Sequence, residues 1–399
     1  MTTIAVLLTT VLVLAALLLP ALRRSRGWRA TVTPLASIIG SGFLVVAPLL
    51  TSSFGNYAVI AMLAIVVTAY GLGDAMRYNI LHIEPLLAQT APPINLARRE
   101  QISRLVLAFA YVVSVSFYLQ LLAAFVLEAL PTELQLSAKS ITGAILLLIG
   151  GLGIWRGLHM LESLEKYAVS IKLAIIAGLL AGLLSHDFSV LANPALAAFP
   201  SLPVLNGDSV RSLLGMLIIV QGFETSRYIG DEYSAETRVS SMRRAQWLST
   251  LIYLLFIVLI LPVAGHQQGL SETAIIQFGA QISWVLPPLL IIAALMSQFS
   301  AAVADTIGGG GLFSEASGHQ IAPRRAYLLV TGLALAVTLL TDIFEVISLA
   351  SRAFALYYLM QCIDALLLAY KRKERGRSII YAGLAVLMLA VAALGIPAE

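Results

Sequence analysis

The apolar stretch at residues 33–51 contains Ser37-Ile38-Ile39-Gly40-Ser41-Gly42-Phe43 near its middle. Glycine costs a helix interior about 1 kcal/mol relative to alanine, and here two glycines stand one residue apart. Backbone that leaves helical pairing inside a bilayer must line a cavity or be buried in protein. We therefore expect a membrane helix that is interrupted here, with the interruption facing the inside of the protein.

A second apolar stretch, at residues 210–230, contains Gln221-Gly222-Phe223-Glu224-Thr225-Ser226, again with a glycine and here with a carboxylate beside it. Either segment alone is weak evidence, because glycine is common in membrane helices that pack closely. Interruptions at corresponding places in two halves of a chain are typical of a transporter's binding site. The pair therefore predicts a solute site between the two segments.

Hydrophobic residues make up 59% of the 399 residues and charged residues only 12%, whereas a soluble globular chain carries about 25% charged residues. Lipid must surround most of this chain, and each crossing of the bilayer needs roughly 20 apolar residues. The sequence therefore predicts an all-α integral membrane protein without a separate soluble domain. The twelve predicted spans are residues 2–22, 33–51, 57–78, 103–130, 138–155, 165–184, 210–230, 245–264, 283–307, 326–341, 343–370 and 378–396.

The basic residues cluster in short segments between these spans, which is typical of the cytoplasmic loops of a multi-span protein. This placement argues against a nucleic-acid groove despite the formal charge of +4. Residues 2–22 lack a preceding basic segment and a clear cleavage site, so we interpret them as a retained helix and not as a secretion signal. The sequence predicts a bacterial-type inner membrane protein with both termini on the outer, periplasmic side. This orientation places 21 of the 25 Lys and Arg residues in cytoplasmic loops and helix ends, and the exceptions are Lys139, Lys172, Arg211 and Arg352.

Ten spans remain when the first and the last are set aside. They form two sets of five, and each set starts with an interrupted span. Repeats with an odd number of spans must lie in opposite orientations in the membrane. We therefore predict one membrane transport domain over residues 1–399, with a five-plus-five inverted-repeat core. Its parts are an extra N-terminal helix (1–28), the first five-helix repeat (29–185), the inverted second repeat (186–370) and a C-terminal helix (371–399).

Both interrupted segments resemble signatures of the amino acid–polyamine–organocation (APC) transporter superfamily. Ile39-Gly40-Ser41-Gly42-Phe43-Leu44-Val45 is similar to the signature of that family's first core helix. The sixth core helix and its following loop are matched by Gly222-Phe223-Glu224-Thr225, Asp231-Glu232, Glu236-Thr237 and Arg243-Arg244-Ala245. The family's usual proline in that loop is absent, and Val239-Ser240-Ser241 stands there instead.

The resemblance implies a LeuT-type fold that gives alternating access to a central site. Substrate amino and carboxylate groups would meet exposed backbone there, because free carbonyls suit an ammonium and half-helix N-termini suit a carboxylate. The substrate-binding residues that this implies are Ile39, Gly40, Ser41, Gly42, Gln221, Gly222, Phe223, Glu224 and Thr225.

Glu224 is an ionisable residue beside the second interruption. A charge at bilayer depth costs at least about 2.5–3.5 kcal/mol, so it needs a partner or a function. One interpretation is that Glu224 titrates or gates during transport. The other is that its carboxylate caps free backbone N–H groups or pairs with Arg227.

Lys172, in the predicted fifth core helix, resembles the lysine that sodium-independent members of the family place where others bind a sodium ion. Ser297 and Ser300, in the predicted eighth core helix, would be polar neighbours of its ammonium group. The alternative is that the side chain extends to the cytoplasmic surface, since Lys172 is under two turns from the predicted start of its helix. The first interpretation predicts transport that does not require sodium.

Arg352 and Asp305 are further candidates for coupling or gating. Arg352 lies near mid-membrane in the predicted tenth core helix, and Glu345 lies two turns away on the same face. An internal ion pair between them is one interpretation, and contact with an anionic substrate group or with Glu224 is the other. Asp305 precedes four consecutive glycines, and we expect it to be a solvated cap or an intracellular gate near the cytoplasmic end of its helix.

Tyr111, Ser114 and Tyr118 recur at i, i+3 and i+7 and form one polar face of the predicted third core helix. This face either lines the substrate path, which makes Tyr111 and Ser114 candidate binding residues, or forms hydrogen bonds between helices.

The sequence contains no phosphate-binding lysine motif, nucleophile elbow or paired-histidine zinc signature. We therefore expect no enzyme activity, metal or cofactor. The leading prediction is a secondary transporter, proton-coupled or facilitative, for an amino acid or a related small amine or organic solute. Its expected partners are that solute, protons and membrane lipid, and no nucleic acid. The alternatives are an inorganic ion permease or channel on the same scaffold and a non-transporting sensor, for which the short loops leave little surface.

Overall fold

The computed structural model describes residues 1–40, 42–131, 136–230, 232–265, 271–318 and 320–397, and the regular elements in these ranges are all helices. Short 3-10 helices lie at Gly55–Tyr57, Pro194–Leu196, Leu217–Val220 and Phe223–Arg227. The α-helices are α1 (Thr2–Leu18), α2 (Pro20–Arg24), α3 (Arg26–Ile38), α4 (Phe43–Phe54), α5 (Ala58–His82), α6 (Glu84–Leu87), α7 (Ile94–Ala129), α8 (Ala138–Trp155), α9 (His159–Ala192), α10 (Gly207–Gly215), α11 (Ala235–Ala264), α12 (Ala274–Ile282), α13 (Leu286–Ala316), α14 (Pro323–Leu340), α15 (Ile343–Lys371) and α16 (Arg375–Leu394).

Eight stretches of the described residues are long and apolar enough to cross a bilayer. They are Phe43–Leu87, Ile94–Ala129, Ala138–Trp155, Ala168–Ala192, Ala235–Ala264, Leu286–Ala316, Ile343–Lys371 and Arg375–Leu394. Helix α1 is also apolar but has only 17 residues. The all-helical membrane architecture is confirmed, whereas the number of twelve spans, the domain bounds and the inverted repeat stay predictions.

The first predicted interruption is present, because α3 ends at Ile38 and α4 begins at Phe43. The second is longer than predicted. Helix α10 ends at Gly215, and only 3-10 turns follow as far as Arg227, so the expectation of a membrane helix reaching residue 230 is wrong. Side chains here bond to their own backbone: Thr225 Oγ1 donates to the Gly222 carbonyl at 2.7 Å. Such local bonds compete with helical pairing.

The long helices divide into inner and peripheral ones. The apolar window of α7 is 83% buried inside the protein, against 28% for α8 and 22% for α16. Helix α7 packs extensively against both α13 and α15, while α9 packs against α13 and α11 packs against α3 and α5. The two interrupted segments therefore lie among the inner helices, and α8, α14 and α16 leave most of their surface to lipid.

The N-terminal helix α1 packs along α9 at two glycines spaced four residues apart. A Cβ atom at Gly178 would lie 3.0 Å from the Val6 carbonyl oxygen and would collide with the Thr10 hydroxyl. At Gly182 it would lie 2.8 Å from a Val6 methyl group. Small residues at this spacing let membrane helices approach closely, and here they hold α1 against the bundle.

We expect Gly178→Ala to weaken the contact of α1 with α9, with a loss of about 1–3 kcal/mol in stability, because the added methyl group overfills a packed interface. Thermal unfolding of the detergent-solubilised protein measures this. Gly383→Ala in α16 is the matched control, since nothing lies within 4 Å of its added Cβ, and it should leave the melting temperature unchanged or slightly higher. Equal melting temperatures for the two variants would contradict the close packing at Gly178.

Candidate functional site

Backbone carbonyls at the end of α3 are bonded by side chains that come from three different helices. These groups lose their helical partners because the helix stops at Ile38. Their new partners lie on α11, α13 and α9, so the interruption is buried in protein as expected. The bonds are Tyr253 Oη to Ile38 O (2.9 Å), Ser297 Oγ to Gly40 O (2.6 Å) and Lys172 Nζ to Ala36 O (2.7 Å). Ser41 and Asp231, which belong to the two signatures, lie outside the described residues.

The two interruptions pack directly on each other. A Cβ at Gly42 would lie 2.9 Å from Ile219 Cα, so only glycine fits there. Gly222 has a φ of +119°, in the left-handed region that disfavours side chains, and its added Cβ would lie 2.7 Å from the Ser37 carbonyl carbon. Tyr253 Oη lies 3.0 Å from the Ile219 carbonyl oxygen as well, and so it touches both interruptions. The two segments therefore meet, whereas the predicted solute site between them stays a prediction.

Glu224 is 1% exposed and caps the second interruption. Its Oε2 accepts the Gly222 N–H at 3.0 Å and the Tyr358 hydroxyl at 2.6 Å. The Tyr358 hydroxyl also lies 3.2 Å from Gln221 Oε1. Among the ion pairs of the described residues none includes Glu224, so the predicted pairing with Arg227 is wrong.

Arg227 instead joins a buried network of charged side chains. Its guanidinium lies 3.1 Å from Glu100 Oε2 and 3.4 Å from Glu84 Oε1, and it donates to Gln361 Oε1 at 2.6 Å. Arg238 binds the other oxygen of Glu84 at 2.7 Å. We call Glu84, Glu100, Arg227 and Arg238 the inner ion network, which connects α6, α7 and α11 to the end of the second interruption.

A small cavity lies beside the second interruption and has room for about one water molecule. Its wall includes Gln221 and Phe223 from the interruption and Phe354 and Tyr358 from α15. It therefore lies on the α15 side of the second segment, while the backbones of the two segments fill the space between them. The described arrangement is closed, and a solute larger than water needs these elements to separate.

Lys172 is 3% exposed and extends toward the first interruption, so the alternative in which it reaches the cytoplasmic surface is wrong. Its ammonium nitrogen lies 2.7 Å from the Ala36 carbonyl oxygen and 3.5 Å from Ser297 Oγ. Ser300, the other predicted neighbour, donates to the Ser297 carbonyl of its own helix at 3.4 Å. A cation therefore lies where a helix C-terminus and a serine hydroxyl supply oxygen ligands.

Asp305 is buried in the contact between α7 and α13, so the prediction of a solvated cap is wrong. Ser114 donates to its carboxylate and also lies 3.0 Å from the Tyr111 carbonyl oxygen. The glycines that follow continue the helix, and Gly308 lets the Tyr111 ring approach: an added Cβ would lie 3.0 Å from the ring. Tyr111 and Ser114 therefore mediate helix contacts here, away from the cavity wall.

Arg352 does not pair with Glu345 or Glu224. Glu345 completes a capping box with Asp342 at the start of α15, which occupies its carboxylate. The Arg352 guanidinium donates instead to the Gly395 carbonyl oxygen, through Nε at 2.9 Å and also through Nη2. Both predicted pairings are wrong, because the end of α16 supplies an acceptor that helical spacing within α15 cannot reveal.

Tyr253 and Tyr358 are contacts of the two interruptions that sequence reasoning missed. Each carries a buried hydroxyl in a membrane helix, and such a group needs a hydrogen-bond acceptor. That requirement was a usable signal, although the partner of each hydroxyl depends on how distant helices pack.

We expect Tyr253→Phe to destabilise the protein by about 1–3 kcal/mol, because the Ile38 and Ile219 carbonyls lose their shared donor in a buried position. Denaturant unfolding in detergent measures the loss. The exposed Tyr370 supplies the matched control, and Tyr370→Phe should have no measurable effect. If the two substitutions have the same effect, the hydroxyl does not hold the interruptions together.

Comparison with known proteins agrees with this geometry. A family model described as an APC superfamily transporter matches residues 20–395, which include both interruptions. A protein of Aquifex aeolicus (strain VF5), named only as an uncharacterized protein, is 43% identical over 390 residues, which cover 96% of this chain and 95% of that protein. The resemblance of the two signatures is thereby confirmed. The chain belongs to the APC superfamily of membrane transporters.

Proposed function

We propose that the protein is a secondary transporter that moves an amino acid or a related small amine or organic solute by alternating access. The supporting observation is the contact between two interrupted segments whose free backbone groups are paired by side chains of other helices. Alternating access needs elements that exchange partners without exposing bare backbone to lipid, and side-chain donors allow this exchange. The proposed solute site is the cavity beside Gln221 and Phe223, enlarged when the segments separate.

The proposal includes an orientation in the inner membrane with both termini outside. The basic ends of α15 and α16, from Lys371 to Arg377, then lie in the cytoplasm. The face with the starts of α10 and α15 lies outside.

We further propose that transport is coupled to protons through Glu224. Its carboxylate is buried and accepts bonds from one hydroxyl and one backbone N–H, both of them neutral donors. A buried carboxylate with neutral partners is a natural proton-binding group, because protonation removes a charge that has no ionic partner. Tyr358 connects this group to the cavity wall.

We expect Glu224→Gln to abolish proton-driven uptake or to flatten its pH dependence, because the amide cannot exchange a proton. A thermal-shift screen of amino acids, amines and organic acids selects the solute, since a selective ligand stabilises the folded state. Uptake of that solute into proteoliposomes is then measured with and without a pH gradient.

Glu315→Gln is the control, because that carboxylate is half exposed and pairs with Arg104 far from the cavity. Unchanged uptake and an unchanged pH profile in Glu224→Gln would remove Glu224 from the mechanism. Absence of uptake for every stabilising solute would count against the transporter itself.

Lys172 supports the proposal of sodium-independent transport. Its ammonium group lies against the Ala36 carbonyl and the Ser297 hydroxyl. The resemblance to sodium-independent members of the family implies that this ammonium group stands where other members bind a sodium ion.

We expect uptake to be unchanged when sodium is replaced by choline, and Lys172→Met to reduce uptake by at least about tenfold, because two polar groups lose their charged partner. Lys139→Met, at an exposed lysine that bonds the Leu339 carbonyl, is the matched control. A collapse of wild-type uptake in choline would refute the role given to Lys172.

An inorganic ion permease on the same scaffold is the second candidate, since the closed cavity admits only a solute of about the size of water. Selective ion flux that persists without organic solute and does not saturate would favour this alternative.

A further inference from the structure

The last residue of α16 and the residues that follow it lie against α10 and are hydrogen-bonded to Arg211 and Ser212. We call residues 394–397 the C-terminal strap. The strap and α10 exchange hydrogen bonds in both directions. These are Ile396 N to Arg211 O (3.2 Å), Arg211 Nε to Leu394 O (3.2 Å) and Ser212 Oγ to Pro397 O (3.4 Å).

The contact is backbone on backbone, because α10 ends in a glycine at this place. A Cβ at Gly215 would lie 3.0 Å from the Ile396 carbonyl carbon and would collide with the carbonyl oxygen. Gly395 lies equally close from the other side, since its own added Cβ would be 3.3 Å from Gly215 Cα. Any side chain at position 215 therefore pushes the strap away.

Arg352 fixes the strap from α15. Two of its guanidinium nitrogens donate to the Gly395 carbonyl oxygen, at the C-terminal end of α16. Hydrogen bonds with a charged donor are about twice as strong as neutral ones, and a helix C-terminus attracts a cation. This contact accounts for an arginine inside a membrane helix that has no carboxylate partner among the described ion pairs.

The clamped elements continue directly into the cavity wall. Ser351, next to Arg352, lines the cavity and donates to the Gly215 carbonyl. Leu217, two residues beyond Gly215, lines the cavity as well. Helix α16 rises about 30 Å over its 20 residues, so the strap lies one bilayer thickness from the basic residues at the other end of α16. It therefore stands on the face that the charge distribution assigns to the outside.

We propose that the C-terminal strap is the outer latch of the cavity: it holds α10 against α15, and it must release α10 before the cavity opens to the outside. The proposal rests on the proposed alternating access for its role in transport. The latch itself predicts whether a reagent added from the outside can reach the cavity wall, and this can be tested without any solute.

The test is thiol labelling of a reporter on the cavity wall. Cys362→Ala removes the single cysteine of the chain, and Ala355→Cys places a thiol at a buried wall position. A membrane-impermeant maleimide is added to right-side-out vesicles and, separately, to inside-out vesicles. We expect Arg352→Gln to raise the labelling rate from the outside by about tenfold or more, because a charged donor is lost from the closed state.

Gly215→Ala should produce the same increase by displacing the strap without changing any charge. Arg352→Lys, which keeps the charge and loses the two-nitrogen geometry, replaces Arg352→Gln if that variant does not fold. Lys139→Gln is the matched control, because it removes a cation from the end of α14 on the same face, at the Leu339 carbonyl, and it should leave labelling unchanged.

Unchanged outside labelling in folded Arg352 and Gly215 variants overturns the proposal, and so does an increase that appears only from the inside. The labelling rates do not depend on finding a transported solute. A wrong proposed function therefore shows in the uptake experiment, and a wrong latch shows in the labelling experiment.

Discussion

Backbone carbonyls that lose their helical partners in the middle of a bilayer must find donors inside the protein. Here the carbonyls of Ala36, Ile38, Gly40 and Ile219 find them on three separate helices. This requirement draws α9, α11 and α13 together around the interrupted segments. The arrangement of the inner helices, and with it the position of the cavity, depends mainly on these few bonds. Apolar packing is the weaker constraint, because lipid solvates an apolar helix face as well as another helix does.

The interruptions could be predicted from the sequence because their causes are local: glycine weakens a helix wherever it stands, and the bilayer penalises unpaired backbone wherever it lies. The ionisable residues were harder. Glu345 stood two turns from Arg352 on one helix face, yet its carboxylate closes a capping box and Arg352 reaches another helix. Spacing within a helix predicts which residues share a face, whereas the partner of a long side chain is set by the packing of elements distant in sequence.

The same limit explains Asp305 and Arg227. The sequence predicts Asp305 near solvent at the end of its helix, but α7 covers that part of α13, so the carboxylate meets Ser114. Arg227 stands three residues from Glu224 in one 3-10 helix, but the Gly222 N–H and the Tyr358 hydroxyl take the carboxylate, and the inner ion network takes the arginine. Competing partners on other elements decide this pairing, and spacing in the sequence does not show them.

Tyr253 has a consequence of its own, because a phenol carries one proton and here has two acceptors at nearly equal distances, 2.9 Å and 3.0 Å. The proton is either shared between the two carbonyls or held by one of them. In the proposed alternating access, the hydroxyl can keep one carbonyl while the segments separate, so the first step gives up only a shared hydrogen bond. Tyr253 therefore defines the contact between the two segments at rest and also lowers the energy needed to begin separating them.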